Sequence, residues 1–272
     1  MIAFASNSLL CRLALKQTSI DAASFTFIRI FSGAVVLWLI MRMRIGVDRS
    51  PLQGNWLSAL ALFAYAAAFS FAYITLSAAT GALLLFGAVQ ATMILWGLRK
   101  GESLHLRQLF GLTLALAGLV ALLLPGLAAP PVGGAILMLG AGVAWGIYSL
   151  RGKGTNDAIG ATAGNFLRAV PFAVVLSMDF IPRMRVDVAG ITYAVLSGAI
   201  ASGLGYVIWY TALPGLKAAS AATVQLAVPV LTAAGGILLL GEPLTMRFLL
   251  ASVAVLGGIA LVVIAPRPPA PA

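Results

Sequence analysis

Leu238-Leu239-Leu240-Gly241-Glu242-Pro243-Leu244 closes one long apolar run, turns, and opens another that carries Leu256-Gly257-Gly258-Ile259. A segment like it lies 140 residues upstream, where Leu95-Trp96-Gly97-Leu98-Arg99-Lys100-Gly101-Glu102-Ser103-Leu104 runs on to Gly111 and Ala117-Gly118-Leu119. At that one shift Gly101-Glu102 matches Gly241-Glu242, Arg107 matches Arg247, and Gly118 matches Gly258. The correspondence continues with little drift: Arg12 with Arg151 and Arg29 with Arg168 at 139, Tyr73 with Tyr210 at 137. Self-similarity at a fixed period marks a repeated architecture. The chain therefore reads as two related halves, 1–127 and 128–265. The Pro-rich tail at 266–272 cannot continue a helix and is predicted to be disordered.

The solvent of this chain is lipid. Of its 272 residues 61% are apolar and 9% charged, and the mean hydropathy is +1.05. A soluble domain has about 25% charged residues. The net charge of +10 forms no basic face for nucleic acid, because Lys and Arg lie singly between apolar runs. In a membrane protein that pattern reports topology. Cys11 is the only cysteine, which excludes an intramolecular disulfide and a cysteine metal cluster. No cleavable signal peptide is evident.

A helix needs about 20 apolar residues to cross a bilayer. The sequence predicts spans at 2–16, 22–42, 53–76, 79–98, 107–124, 132–150, 158–178, 188–211, 216–240 and 246–264. The expected fold is all-α and integral to the membrane: ten transmembrane helices as two five-helix repeats. Five is odd, so the second repeat re-enters the membrane upside down, the plan of many secondary transporters. With the N-terminus inside, ten cations (Arg42, Arg44, Arg49, Arg99, Lys100, Arg107, Arg151, Lys153, Lys217, Arg267) face inward and five (Arg12, Lys16, Arg183, Arg185, Arg247) outward. That bias places both termini in the cytoplasm.

The seven acids, Asp21, Asp48, Glu102, Asp157, Asp179, Asp187 and Glu242, all fall in loops or at helix ends. Proton-coupled pumps carry an acid inside the membrane, so facilitated movement of a neutral or zwitterionic solute is the simpler expectation. Glu102 and Glu242 each precede a helix and suit its N-terminal dipole. Arg29 and Arg168 lie well inside predicted spans. Each reads as a structural cation, with Arg168, the deeper along its span, the stronger candidate for substrate carboxylate. Phe69 and Tyr73 follow Tyr65 at helical spacing in the third span, and Tyr206 and Tyr210 repeat them in the eighth. Trp145 and Tyr148 lie on the sixth span; Gln90 and Gln225 lie inside the fourth and ninth, near Thr92 and Thr223. The alternatives are a lipid-facing aromatic belt with amide glue between helices, or a cavity lining of flat apolar walls and neutral hydrogen-bonding groups suited to aromatic or apolar amino acids. Pro229 is the candidate gating bend, since an interior proline frees a carbonyl. Gly152-Lys153-Gly154-Thr155 lacks the spacing of a phosphate loop. An intramembrane enzyme needs a nucleophile–base pair or a metal. Cys11 and the lone histidine, His105 in a turn, supply neither, and no cofactor is expected.

The Gly-Glu turn with Pro-Leu-Thr after it (Gly241 to Thr245), its weaker copy at Gly101 to Leu104, Pro229 and the Gly-rich last span of each half resemble the drug/metabolite transporter superfamily with two EamA-type repeats. The first half departs from the pattern at Val89-Gln90, where no proline stands. Overall, the chain is most similar to YddG-type exporters of aromatic and other amino acids. The resemblance implies a basket in which spans 1–4 and 6–9 surround a central cavity and spans 5 and 10 lie outside. It further implies a small-molecule substrate, amino acids, exported or facilitated across the bacterial inner membrane. Export of other metabolites or lipophilic drugs is the alternative.

Overall fold

The computed structural model describes residues 1–43, 53–101, 106–124, 129–152, 157–212, 225 and 227–264. Asp48, Glu102, His105, Lys153, Thr223, the side chain of Tyr210 and the tail 266–272 lie outside what is described.

Every described element is helical: α1 (Ile2–Gln17), α2 (Ala22–Met43), α3 (Trp56–Ala72), α4 (Ala78–Arg99), α5 (Leu106–Leu123), α6 (Val132–Gly152) and α7 (Ala158–Phe180), the last ending in a 3-10 turn. α8 is a composite: α-helical at Val188–Val195, π-helical at Leu196–Leu204, α-helical again at Gly205–Ala212. α9 (Ala227–Leu240) and α10 (Met246–Ile264) follow. Seven of these rods are long and apolar enough to cross a membrane, and α3 and α9 are shorter apolar helices. The chain is a multi-pass membrane protein.

Local chemistry sets the helix ends. Asn55, Ser77 and Asp157 each accept a hydrogen bond from a backbone N–H three residues on, at 2.9, 3.2 and 3.0 Å. Such side chains satisfy donors a helix start leaves open. Asp21 does the same for α2, accepting from the backbone of Ala23 and Ser24, the Ser24 hydroxyl, and the backbone of Arg185 across the loop before α8. Burial acts to raise its carboxyl, but these bonds outweigh it and hold the group below its ordinary value. After α4 and α9 the chain turns at Gly101 (φ 89°) and Gly241 (φ 62°). Side chains disfavour that left-handed backbone, and the two glycines are the matched pair of the sequence repeat.

Packing is inside-out relative to a soluble protein. Phe110, Leu238 and Val253 are exposed, whereas Asn7, Ser8, Thr26, Arg29, Ser70, Gln90, Ser197, Ser202 and Thr232 are buried. α3 and α4 pack on α6; α1 packs on α8 and α9; α2 packs on α7 and α8; α4 packs on α9. α5 and α10 form an extensive pair that leans on α4. Their axes meet where Gly111 faces Gly258: a Cβ on either would stand 2.5 or 2.4 Å from the other's carbonyl oxygen.

Candidate functional site

Five helices bring one face each to a common centre. α1 supplies Phe4, Asn7 and Ser8, at helical spacing on one side of the rod. α3 supplies Tyr65 and Phe69, α4 Leu85 and Phe86, α6 Trp145 and α8 Tyr206. Trp145 is the hub. Its ring centroid lies 4.8 Å from Tyr65, 5.1 Å from Tyr206 and 6.3 Å from Phe4. The cavity measures about 20 Å³, on a scale where roughly 10–15 Å³ holds one water. A flat solute enters only if these walls part.

Beside this wall a chain of polar groups begins and ends on α8. The Tyr65 hydroxyl accepts from Asn7 Nδ2 at 3.2 Å and from Arg29 Nη2 at 2.9 Å. Arg29 Nε donates to Ser202 Oγ at 3.4 Å, and the Ser197 hydroxyl donates to Asn7 Oδ1. Ser197 and Ser202 both sit on the π-helical part of α8. A π turn widens the helix, and such turns recur at functional sites. Here it places the two serines, five apart, at opposite ends of one network. Gly198 lies between them. A Cβ there would stand 2.1 Å from the Arg29 carbonyl oxygen, so α2 and α8 touch through backbone.

One end of the bundle is tied by charge. Arg12 Nε donates to Glu242 Oε1 at 2.9 Å, and Arg12 Nη1 donates to the carbonyls of Tyr73 and Ile74. Glu242 Oε2 accepts from the backbone of Ala78 at 2.7 Å. Glu242 was expected to serve the helix it precedes. It serves the N-terminus of α4 instead, with Arg12 as its partner, because the α9–α10 turn folds over that helix end.

The sequence-predicted residues divide. Phe69, Trp145 and Tyr206 line the cavity. Tyr73 does not. It is fully buried at the end of α3, its ring against Gly81 and its hydroxyl donating to the Ala78 carbonyl at 3.3 Å. Tyr148 stands behind Trp145, 5.5 Å between centroids, and Gln90 is buried in α4 outside the lining. Gln225 is half-buried, and Pro229 is buried near the described start of α9. Tyr65, Phe69, Tyr73 and Tyr206 are buried to 5% exposure or less, which is incompatible with a lipid-facing belt for these rings.

The two arginines differ in facing. Arg168 is half-buried, and its Nη1 donates to the carbonyls of Gln53 and Gly164. Arg29 is the one at the centre, 2% exposed. Position along a span gives depth but not facing, and Arg168 reaches back to carbonyls near its helix start. The sequence reading also passed over Phe4, Asn7 and Ser8. The signal was present: an Asn-Ser pair inside an apolar run, one helical turn from an aromatic.

The profile of the EamA-like transporter family matches residues 132–264, which take in α6 to α10. An uncharacterised protein of Pseudomonas aeruginosa is 59% identical over 98% of this chain and 92% of its own. The chain belongs to the EamA-like transporter family. Other relatives span most of the chain. An uncharacterised transporter of Archaeoglobus fulgidus is 26% identical over 86% of this chain and 84% of its own. The uncharacterised transporter YoaV of Bacillus subtilis is 22% identical over 86% and 85%. A solved crystal structure 20% identical to this EamA-family chain shares its fold, with a TM-score of 0.63 over 96% of this chain and 95% of the other.

Proposed function

We propose that this membrane transporter moves aromatic and other neutral amino acids across the bacterial inner membrane by alternating access. The observation that carries the reading is the central cavity, buried among five helices and walled by Phe4, Tyr65, Phe69, Trp145 and Tyr206. A flat side chain stacked there gains about 0.5–1.5 kcal/mol per good ring contact beyond the area it buries. Phe69 and Tyr206 touch the solute directly; Tyr73, Gln90, Tyr148 and Gln225 support the wall; Pro229 is the bend at which α9 yields.

The same reading takes the chain as ten helices in two inverted repeats, 1–127 and 128–265. Packing supports it. Exchanging each helix for its counterpart five later or earlier turns α3 on α6 into α8 on α1, and α4 on α6 into α9 on α1. α2 on α7, α4 on α9 and α5 on α10 map onto themselves. The excess of inward cations orients the carrier with both termini in the cytoplasm. A reporter fused at Ala272 that is active only outside would defeat that orientation.

Counterflow in proteoliposomes tests the substrate class. Labelled phenylalanine and tryptophan are expected to exchange against the same amino acids inside, with threonine slower. Absence of exchange for every amino acid, with exchange of a lipophilic cation, defeats the reading.

A further inference from the structure

Among the described residues, no carboxylate answers the charge of Arg29. Arg29 is 2% exposed, within a helix long enough to span the membrane. Among the described residues its Nη1 has no hydrogen-bond partner, while Nη2 donates to the neutral Tyr65 hydroxyl at 2.9 Å and Nε to that of Ser202 at 3.4 Å. The ion pair among the described residues is Arg12 with Glu242, not one with Arg29. The other cations discussed above differ: Arg12 has a carboxylate and carbonyls, Arg151 has Asn55 and Ser58, and Arg168 has two carbonyls. A buried charge without a counter-ion is expensive, and inside a membrane it marks a substrate or ion path.

Its place is the back of the cavity wall. The guanidinium carbon lies 5.1 Å from the ring centroid of Tyr65 and 4.9 Å from that of Phe69, both of which line the cavity. Tyr65 accepts two hydrogen bonds at its hydroxyl oxygen and keeps a proton to donate. Two donors, Arg29 Nη1 and the Tyr65 hydroxyl, are thus associated with one aromatic wall. A carboxylate is the group that accepts from both. Among the described acids, Asp21, Asp157, Asp179, Asp187 and Glu242, none lines the cavity. Arg29 is not itself in the lining but stands directly behind the Tyr65 and Phe69 rings, a cation for a substrate anion, and the described lining holds no carboxylate for a substrate ammonium.

We infer that Arg29 is the anion-reading residue of this carrier, and that the preferred solute is a flat monocarboxylate recognised without its amino group. The inference rests on the cavity being the transport site. It differs from the amino-acid reading in the charge state selected: a monoanion neutralises Arg29, whereas a zwitterion brings a second cation into the same low-dielectric space.

Phenylpyruvate, phenylalanine and phenethylamine present one ring in three charge states. The purified full-length protein is melted with each, and each is tested as a competitor in counterflow. Phenylpyruvate is expected to stabilise the wild type at roughly tenfold lower concentration than phenylalanine, and phenethylamine to have no effect. Arg29→Gln is expected to erase the gap, and Arg29→Lys to keep part of it. Should Arg29→Gln not fold, Tyr65→Phe narrows the gap while keeping the charge. A wild type that favours phenylalanine, or an Arg29→Gln protein that keeps the gap, overturns the inference and leaves the amino-acid carrier standing. If none of the three binds or competes, the aromatic substrate class falls and the inference falls with it.

Discussion

At the scale of single residues, what a sequence shows is type and spacing, and what it hides is facing. Phe69, Trp145 and Tyr206 were legible because large aromatic side chains recur at helical spacing near span centres, and all three line the cavity. Tyr73 has the same spacing but lies one turn further, past the cavity, where its ring fills the space a Gly81 side chain would take. The distinction can be measured. Phe69→Leu and Tyr206→Leu are expected to weaken phenylalanine transport several-fold more than threonine transport, per folded protein. Tyr73→Phe is expected to leave that ratio unchanged, with a stability loss of about 1 kcal/mol for its hydrogen bond. An equal change of the ratio in all three would separate aromatic content from cavity lining and defeat the assignment. Asp21 supplies a pH prediction. Its folded carboxyl is held low by donors from Ala23, Ser24 and Arg185. The stability it contributes is therefore full above the unfolded value, about 3.9, and is lost as pH falls through the folded value. Melting of the wild type is expected to drop below about pH 4, and Asp21→Asn to be less stable near neutrality and flatter across that window. Matching curves for the two proteins would show that the carboxylate ties nothing.

At the scale of elements, apolar length set most of the helices within a few residues of their ends, since punctuation by Asn55, Ser77, Asp157 and Gly241 is chemical and local. The span expected at 53–76 resolves into α3 and a turn, because the helix starts at its Asn55 cap and the chain must reverse before α4. Only part of the span expected at 216–240 lies within the described residues. The π-helical part of α8 was invisible: Leu196–Leu204 reads as any small-residue apolar stretch, and what selects the wider turn is contact with α2, made through Gly198. Contact of the same kind joins α5 and α10, and adjacent glycines test it. A Cβ on Gly258 meets the Gly111 carbonyl, whereas a Cβ on Gly257 meets nothing within 4 Å. Gly258→Ala is expected to destabilise the protein by about 1–3 kcal/mol, the range for forced overpacking. Gly257→Ala is expected to be neutral or stabilising by up to about 1 kcal/mol through helix propensity. Equal melting points for the two variants would mean that the pair spreads without resistance.

At the scale of the whole molecule, the acids keep to the ends of the bundle. None of those described lines the cavity, and Glu242 is held by Arg12. Counterflow of a labelled solute at equal pH is therefore expected to survive a protonophore; its abolition would reveal a titrating group in the transport path. The repeat was legible from matched turns and arginines, yet not the way its copies interleave. Most of the inter-helix packing that builds the centre joins residues 1–127 to residues 128–265: α1 to α8 and α9, α2 to α7 and α8, α3 and α4 to α6, α5 to α10. This has a consequence for biosynthesis. At about 5–20 residues per second, the ribosome needs roughly seven to thirty seconds to make the second half after the first is in the bilayer. Through that interval the leading helices hold Arg29 and Asn7 in the bilayer with their Ser202 and Ser197 partners not yet synthesised. The nascent protein thus depends on lipid, or on the insertion machinery, to shield polar groups that the finished one shields by itself. Expressed alone, either half is expected to be degraded, and the two co-expressed as separate chains to protect each other; a first half that accumulates by itself would show that the delay is harmless.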